Sequence, residues 1–156
     1  MKKTVLVLWL GLFPLGCISF AAGQTCQSKA IEIRVDSIFR EMIKAAEILD
    51  YDKLTSGVDD SHNAGFIVGG IYYEKYDELI NLLKSRSSGV AGQHIVVQKE
   101  KITVLSDSIV LLTACGESQI DLKNGTVVAA KFDWSFVYKK IDNQWKVIQS
   151  HQSVSR

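Results

Sequence analysis

The stretch that decides the fold is Phe132-Asp133-Trp134-Ser135-Phe136-Val137-Tyr138-Lys139-Lys140-Ile141-Asp142-Asn143-Gln144-Trp145-Lys146-Val147-Ile148-Gln149-Ser150-His151-Gln152-Ser153. Phe132, Trp134, Phe136 and Tyr138 recur at every second position, the period of a strand with one apolar face. Asp142-Asn143 is a turn pair. Trp145 to Ser153 follows as a final strand. His151 and Ser153 share strand parity with Trp145 and Val147. If the two apolar residues face the interior, His151 and Ser153 are expected there too.

Upstream of this hairpin the chain continues as strand and turn. Gln93 to Leu105 is one long β-rich run, and Ser106-Asp107-Ser108 is a turn. Ile109 to Glu117 is a second strand. Ile120 to Lys123 leads into Asn124-Gly125, a strong hairpin signal, and Thr126 to Tyr138 is the third strand. Helices come before the strands. From Ser28 to Leu49 the residues Ile31, Val35, Ile38, Phe39, Met42, Ala46 and Leu49 form one apolar stripe with charges on the other faces. Asp50 or Asp52 can cap a short helix carrying Leu54. Phe66-Ile67-Val68 reads as a short strand with Gly69-Gly70 as its turn. Tyr73, Tyr76, Leu79, Ile80 and Leu83 form a second helical stripe ending near Arg86. Helices followed by an antiparallel meander define an α+β fold, and a strongly curved sheet of this kind can hold a pocket.

The first 23 residues carry a different message. Lys2 and Lys3 form a basic end, an apolar run follows from Val5 to Leu15, and Ala21-Ala22-Gly23 closes the segment. This is the layout of a secretory signal peptide, with an apolar run short for a membrane span. Residues 1–23 are expected to be removed, leaving one domain over 24–156 that works in the periplasm or as a secreted protein. Pro14-Leu15-Gly16-Cys17 offers a second processing site at which Cys17 would be lipidated, and only then is a membrane partner expected. The whole chain has 18 basic and 17 acidic residues, and loss of Lys2 and Lys3 leaves it near neutral. A neutral surface without a basic cluster argues against nucleic acid as a partner. Cys26 and Cys115 would then meet an oxidising compartment, either as a bridge or as two separate thiols. Neither has the spacing of a zinc site or a CxxC motif, and no metal is expected. The chain also lacks a phosphate-binding glycine loop and a GxSxG elbow.

The residues quoted above are similar to those of the nuclear-transport-factor-2-like superfamily, in its SnoaL-like and ketosteroid-isomerase-like branch. The carrying features are the long first helix ending in Asp50-Tyr51-Asp52-Lys53-Leu54, the pair Asp59-Asp60, Gly69-Gly70 followed by Tyr73 to Leu83, and the Phe132 to Ser153 hairpin. The resemblance spans roughly residues 28 to 154. It implies a cone, a curved sheet wrapped around helices with a cavity at one end, and a homodimer packed through the outer sheet face. It does not name a function, because this fold serves enzymes, binding proteins and oligomerisation modules alike.

His151 is the candidate catalytic residue, since an imidazole moves protons near neutral pH and the resemblance implies a histidine lining the cavity at this place. Its alternative role is a partly buried histidine bonded to a neighbour. Asp60 and His62, with Asp59, sit in a loop expected to rim the cavity, where they could contact a ligand or serve only as turn and cap residues. Trp134 and Ser153 are expected to touch ligand, Trp134 as a wall on which a flat molecule could stack. Asp133 alternates away from the aromatic face, so it and Glu117 enter the cavity only if the faces of the sheet are reversed. The isomerase trio is not carried over: Tyr51 lies near the end of the first helix, whose interior holds Ile38, Phe39 and Met42 instead. The expectation is an exported protein binding a small apolar or amphipathic ligand, with scope for cofactor-independent isomerase, dehydratase or hydrolase chemistry. The alternative is a non-catalytic dimeric interaction module with a filled cavity. Neither needs a cofactor.

Overall fold

The apolar stripe of the first helix lies along the inner face of a six-stranded sheet. In this computed structural model residues 19–155 are described, with side chains from residue 25 onward. The basic end at Lys2 and Lys3, the apolar run and Cys17 lie outside the described residues. Helix α1 spans Ser19–Glu47, so it begins before the expected Ser28 and runs through the boundary at Gly23. Among the described residues no helix is long and apolar enough to cross a membrane. Val35, Phe39 and Ile43 of α1 are buried against the sheet. Polar contacts fix the helix to strand β3 (Val90–Ser106): Arg40 Nη2 donates to Glu100 at 2.6 Å, Gln93 Nε2 donates to the Ala46 carbonyl at 2.6 Å, the Ile95 N–H donates to Glu47 at 2.8 Å, and His94 Nδ1 lies 3.0 Å from the same carboxylate.

Helix α2 (Tyr51–Ser56) is capped by Asp50, whose carboxylate accepts from the Lys53 N–H at 2.9 Å. Strands β1 (Phe66–Val68) and β2 (Ile71–Tyr73) form a tight hairpin. Its two turn residues, Gly69 and Gly70, both have positive φ, which a side chain would resist. This hairpin takes Tyr73 out of the helical stripe to which its spacing assigned it. Helix α3 runs from Tyr76 to Arg86. A short 3-10 turn, Ser87–Gly89, leads into β3.

The rest is a meander: β3, β4 (Ile109–Leu122), β5 (Val127–Ile141) and β6 (Gln144–Ser155). The sheet order is β2-β1-β6-β5-β4-β3, antiparallel throughout except that β1 runs parallel to β6. The strand expected over Ile109 to Glu117 runs on without a break to Leu122. Gly116 lies at its middle because β3 presses in there: a Cβ at this position would meet the Val96 carbonyl and stand 2.8 Å from the Phe132 ring. The Asn124-Gly125 and Asp142-Asn143 turns stand where expected, with positive φ at Gly125, Asp142 and Asn143.

Phe132, Trp134, Phe136 and Tyr138 all project from one face of β5, and they are held by ring contacts that include a stacked Phe132–Trp134 pair at 3.9 Å between centroids. This face packs on the helices. Asp133 and Glu117 are exposed on the other face, which settles their conditional placement as outward. Cys26 and Cys115 are both free thiols. The curved, unclosed sheet and its helices form the cone of the NTF2-like fold.

The register of β6 changes partway along. Tyr138 pairs with Val147, but Val137 pairs with Gln149, so Ile148 is an extra residue in a β-bulge. A one-residue slip exchanges the two faces of everything beyond it. Trp145 and Val147 point inward before the bulge, and Ser150 is buried after it. His151 is therefore exposed on the outer face, between Ser135 of β5 and Ile67 of β1. The inward placement expected for His151 and Ser153 is corrected by this bulge.

Candidate ligand cavity

A cavity of about 510 Å³ opens between the helices and one end of the inner sheet face. Its helical walls are apolar: Met42, Ile43 and Ala46 from α1, Leu54 from α2, and Leu79 and Leu83 from α3. Its sheet wall is made by the far parts of the strands, where small side chains (Ser118, Ala130, Ser150) stand among larger ones (Ile95, Ile120, Leu122, Trp134). In β4 the inward series runs Leu112, Ala114, Gly116, Ser118, and in β5 it passes from Phe136 and Trp134 to Ala130 and Val128. The short side chains at Gly116, Ser118 and Ala130 leave a space between helices and sheet, which Ile120 and Leu122, further along the same face of β4, border without filling.

The polar groups in this space are few. Ser150 is 1% exposed and lies on the cavity wall. Its hydroxyl accepts a long bond of 3.4 Å from Gln152 Nε2, which lines the same wall. Ser118 also lines the cavity and donates a long 3.5 Å bond to the Ala130 carbonyl. Tyr51 donates to the Leu83 carbonyl at 3.4 Å. Tyr76 packs edge-on against Phe66 at 5.1 Å, and burial pushes its hydroxyl pKa well above the usual tyrosine value. Such a hydroxyl stays protonated at neutral pH and acts as a hydrogen-bond donor or acceptor, not as a base. Arg86, the last residue of α3, stands on the rim. Among the described residues no Asp, Glu, His, Cys or Lys lines the cavity, and no cluster of such residues could hold a metal ion.

Of the residues singled out from sequence, Trp134 lines the cavity. Asp60 does not: its carboxylate accepts from the Tyr76 N–H at 3.2 Å and so caps the start of α3 from a distance. His62 is exposed, with Nε2 2.6 Å from Lys139 Nζ and Nδ1 3.5 Å from Asp59. Asp59 accepts from both the hydroxyl and the N–H of Ser61, which lowers its pKa. This loop is a turn tied to β5 and the start of α3, apart from the cavity. His151 and Ser153 lie across the sheet from it, with Ser153 donating to the Asp133 carbonyl at 2.9 Å. The structure brings together Trp134, Ser150, Gln152, Ser118, Tyr76 and Arg86 instead.

Sequence reasoning missed Ser150 and Gln152 because strand parity was extended through the bulge. One signal was present. Val147 and Ile148 are adjacent apolar residues, and Val154 has the opposite parity to Trp145, which together mark a change of face within the strand.

A helix-lined cone with a single apolar cavity wall of this kind places the chain in the NTF2-like class. The model of the SnoaL-like domain matches residues 35–156, and the chain belongs to that family. No curated protein matches it by sequence. Among solved structures it is similar to an NTF2-like superfamily protein from Salmonella enterica, with a TM-score of 0.74, 11% identity, and coverage of 83% of this chain and 94% of that one. A type 2 hexachlorocyclohexane dehydrochlorinase superposes with a TM-score of 0.71 at 12% identity, over 85% of this chain and 90% of that one. The association domain of a Caenorhabditis elegans CaMKII gives a TM-score of 0.65 at 15% identity, over 80% and 96%. These likenesses establish the fold, which an enzyme and an assembly domain share.

Proposed function

We propose that this chain is an exported, homodimeric binding protein that holds a small, predominantly apolar molecule in its cavity without transforming it. The observation that carries this reading is the pairing of about 510 Å³ of apolar space with a wall whose hydrogen-bonding groups are neutral apart from Arg86 at the rim. Ligand pockets are typically of this size, apolar with a few placed polar groups. Proton abstraction or elimination needs a base near neutrality. His151, the candidate for that task, faces the other side of the sheet. The interaction-module alternative rests on a filled cavity, and Phe39, Trp134 and Trp145 leave this one open.

Native mass spectrometry of the mature protein, purified from the extracytoplasmic fraction of its own host, tests the reading. The expected result is a dimer carrying a reproducible extra mass that is lost on denaturation. A bare protein that also fails to take up the neutral apolar fluorophore N-phenyl-1-naphthylamine would overturn it.

A further inference from the structure

Of all the residues lining the cavity, only Arg86 and Val154 are exposed. Arg86, the last residue of α3, and Val154, near the end of β6, thus stand where the lining meets solvent. Arg86 has no carboxylate partner among the described residues, whereas Lys84 on the same helix pairs with Asp52 at 3.5 Å. Lys123 lies close by, its Nζ donating to the Ser88 carbonyl at 2.7 Å, and it too has no carboxylate partner there. Asp121, the nearest acid in sequence to Lys123, is engaged by Gln119 Nε2 at 3.0 Å. A basic residue in the last turn of a helix favours the helix dipole. That accounts for a positive charge at position 86, but not for its place on the rim of an apolar space.

We infer that Arg86 binds the head of an amphipathic carboxylate whose apolar part fills the cavity. The inference rests on the binding reading above and deepens it. A guanidinium stays charged and presents a planar fork that matches a carboxylate bidentately. The interior offers no charge of either sign, so an anionic head stays at the rim while an apolar tail goes inward. A phosphate monoester would bring about −1.5 to −2 charges to a site with one lining cation. A singly charged head is the better match.

The test is displacement of N-phenyl-1-naphthylamine from the full mature protein by decanoate, decan-1-ol and decyl phosphate. The wild type is expected to bind decanoate about tenfold more tightly than decan-1-ol, the effect of one charge-assisted contact at a partly exposed site. Arg86→Gln should abolish that preference and leave the affinities for fluorophore and decan-1-ol unchanged. Arg86→Lys should keep part of it. Uptake of the fluorophore by Arg86→Gln shows that the variant is folded with its cavity intact. Unchanged decanoate affinity in Arg86→Gln would overturn the inference while leaving the binding reading standing. Tighter binding of decyl phosphate than of decanoate by the wild type would overturn the carboxylate assignment. Failure of the wild type to take up the fluorophore would instead overturn the binding reading itself.

Discussion

The two ends of the inner sheet face are built from the same three strands but do opposite things. At one end Val110, Leu112, Tyr138 and Trp145 are buried, with Val35 and Phe39 of α1 in the same core, and Phe136 and Val147 stand between this core and the cavity. At the other end the same strands present Ser118, Ala130, Val128, Ser150 and Gln152 beside the larger Ile120, Leu122 and Trp134, and about 510 Å³ is left open between sheet and helices. The topology is the same at both ends; the difference is how far the side chains fill the gap between the layers, with short Ser118, Ala130 and Ser150 at the open end. One end is core because its side chains fill the gap between the layers, and the other is cavity because they do not.

This contrast has measurable consequences. Leu112→Ala, at the filled end, should lower stability by about 3 kcal/mol, through lost transfer energy and a new void. Val128→Ala, beside the existing space, should cost under about 1 kcal/mol. Urea unfolding of the two variants checks the pair, and equal losses would mean that both ends are packed alike. A smaller effect is expected at Tyr138, whose hydroxyl is buried without a partner in the filled end. Tyr138→Phe removes an unsatisfied polar group and should raise stability by ~1 kcal/mol. A clear loss would place a bound water on that hydroxyl, making the filled end partly wet. The smallest effect is expected from His151→Ala, on the far side of the sheet. It should leave fluorophore affinity unchanged and stability within about 0.5 kcal/mol. Weakened uptake would return His151 to the cavity.

Most of the fold was legible because it rests on local periodicity and turn chemistry. The aromatic alternation from Phe132 to Tyr138, the Asn124-Gly125 and Asp142-Asn143 turns, the Asp50 cap and the α1 stripe each correspond to an observed element. The errors came where one residue changes the geometry of many. Gly69 and Gly70 fold β1 back on β2, so Tyr73 is strand although its spacing from Tyr76 and Ile80 fits a helix. Ile148 shifts β6 by one residue, and with it the faces of Ser150, His151, Gln152 and Ser153. Trp134 could be assigned to the wall because the alternation of its own strand is unbroken. Asp60 was a candidate by its polarity and loop position, but its contact is with the Tyr76 N–H sixteen residues on, a tertiary relation that no local pattern encodes. Arg86 was visible only as the end of a helix. Its place on the rim depends on how α3 lies relative to β6.

The central claim is that the small-residue end of the sheet face is a working binding cavity. It is tested most directly by titrating N-phenyl-1-naphthylamine into the wild-type protein and into Ala130→Phe, a substitution that fills the cavity from β5. Saturable single-site binding is expected for the wild type, and Ala130→Phe should lose that binding without losing the cooperative unfolding transition. Undiminished binding by a folded Ala130→Phe protein would place the fluorophore elsewhere and contradict the assignment.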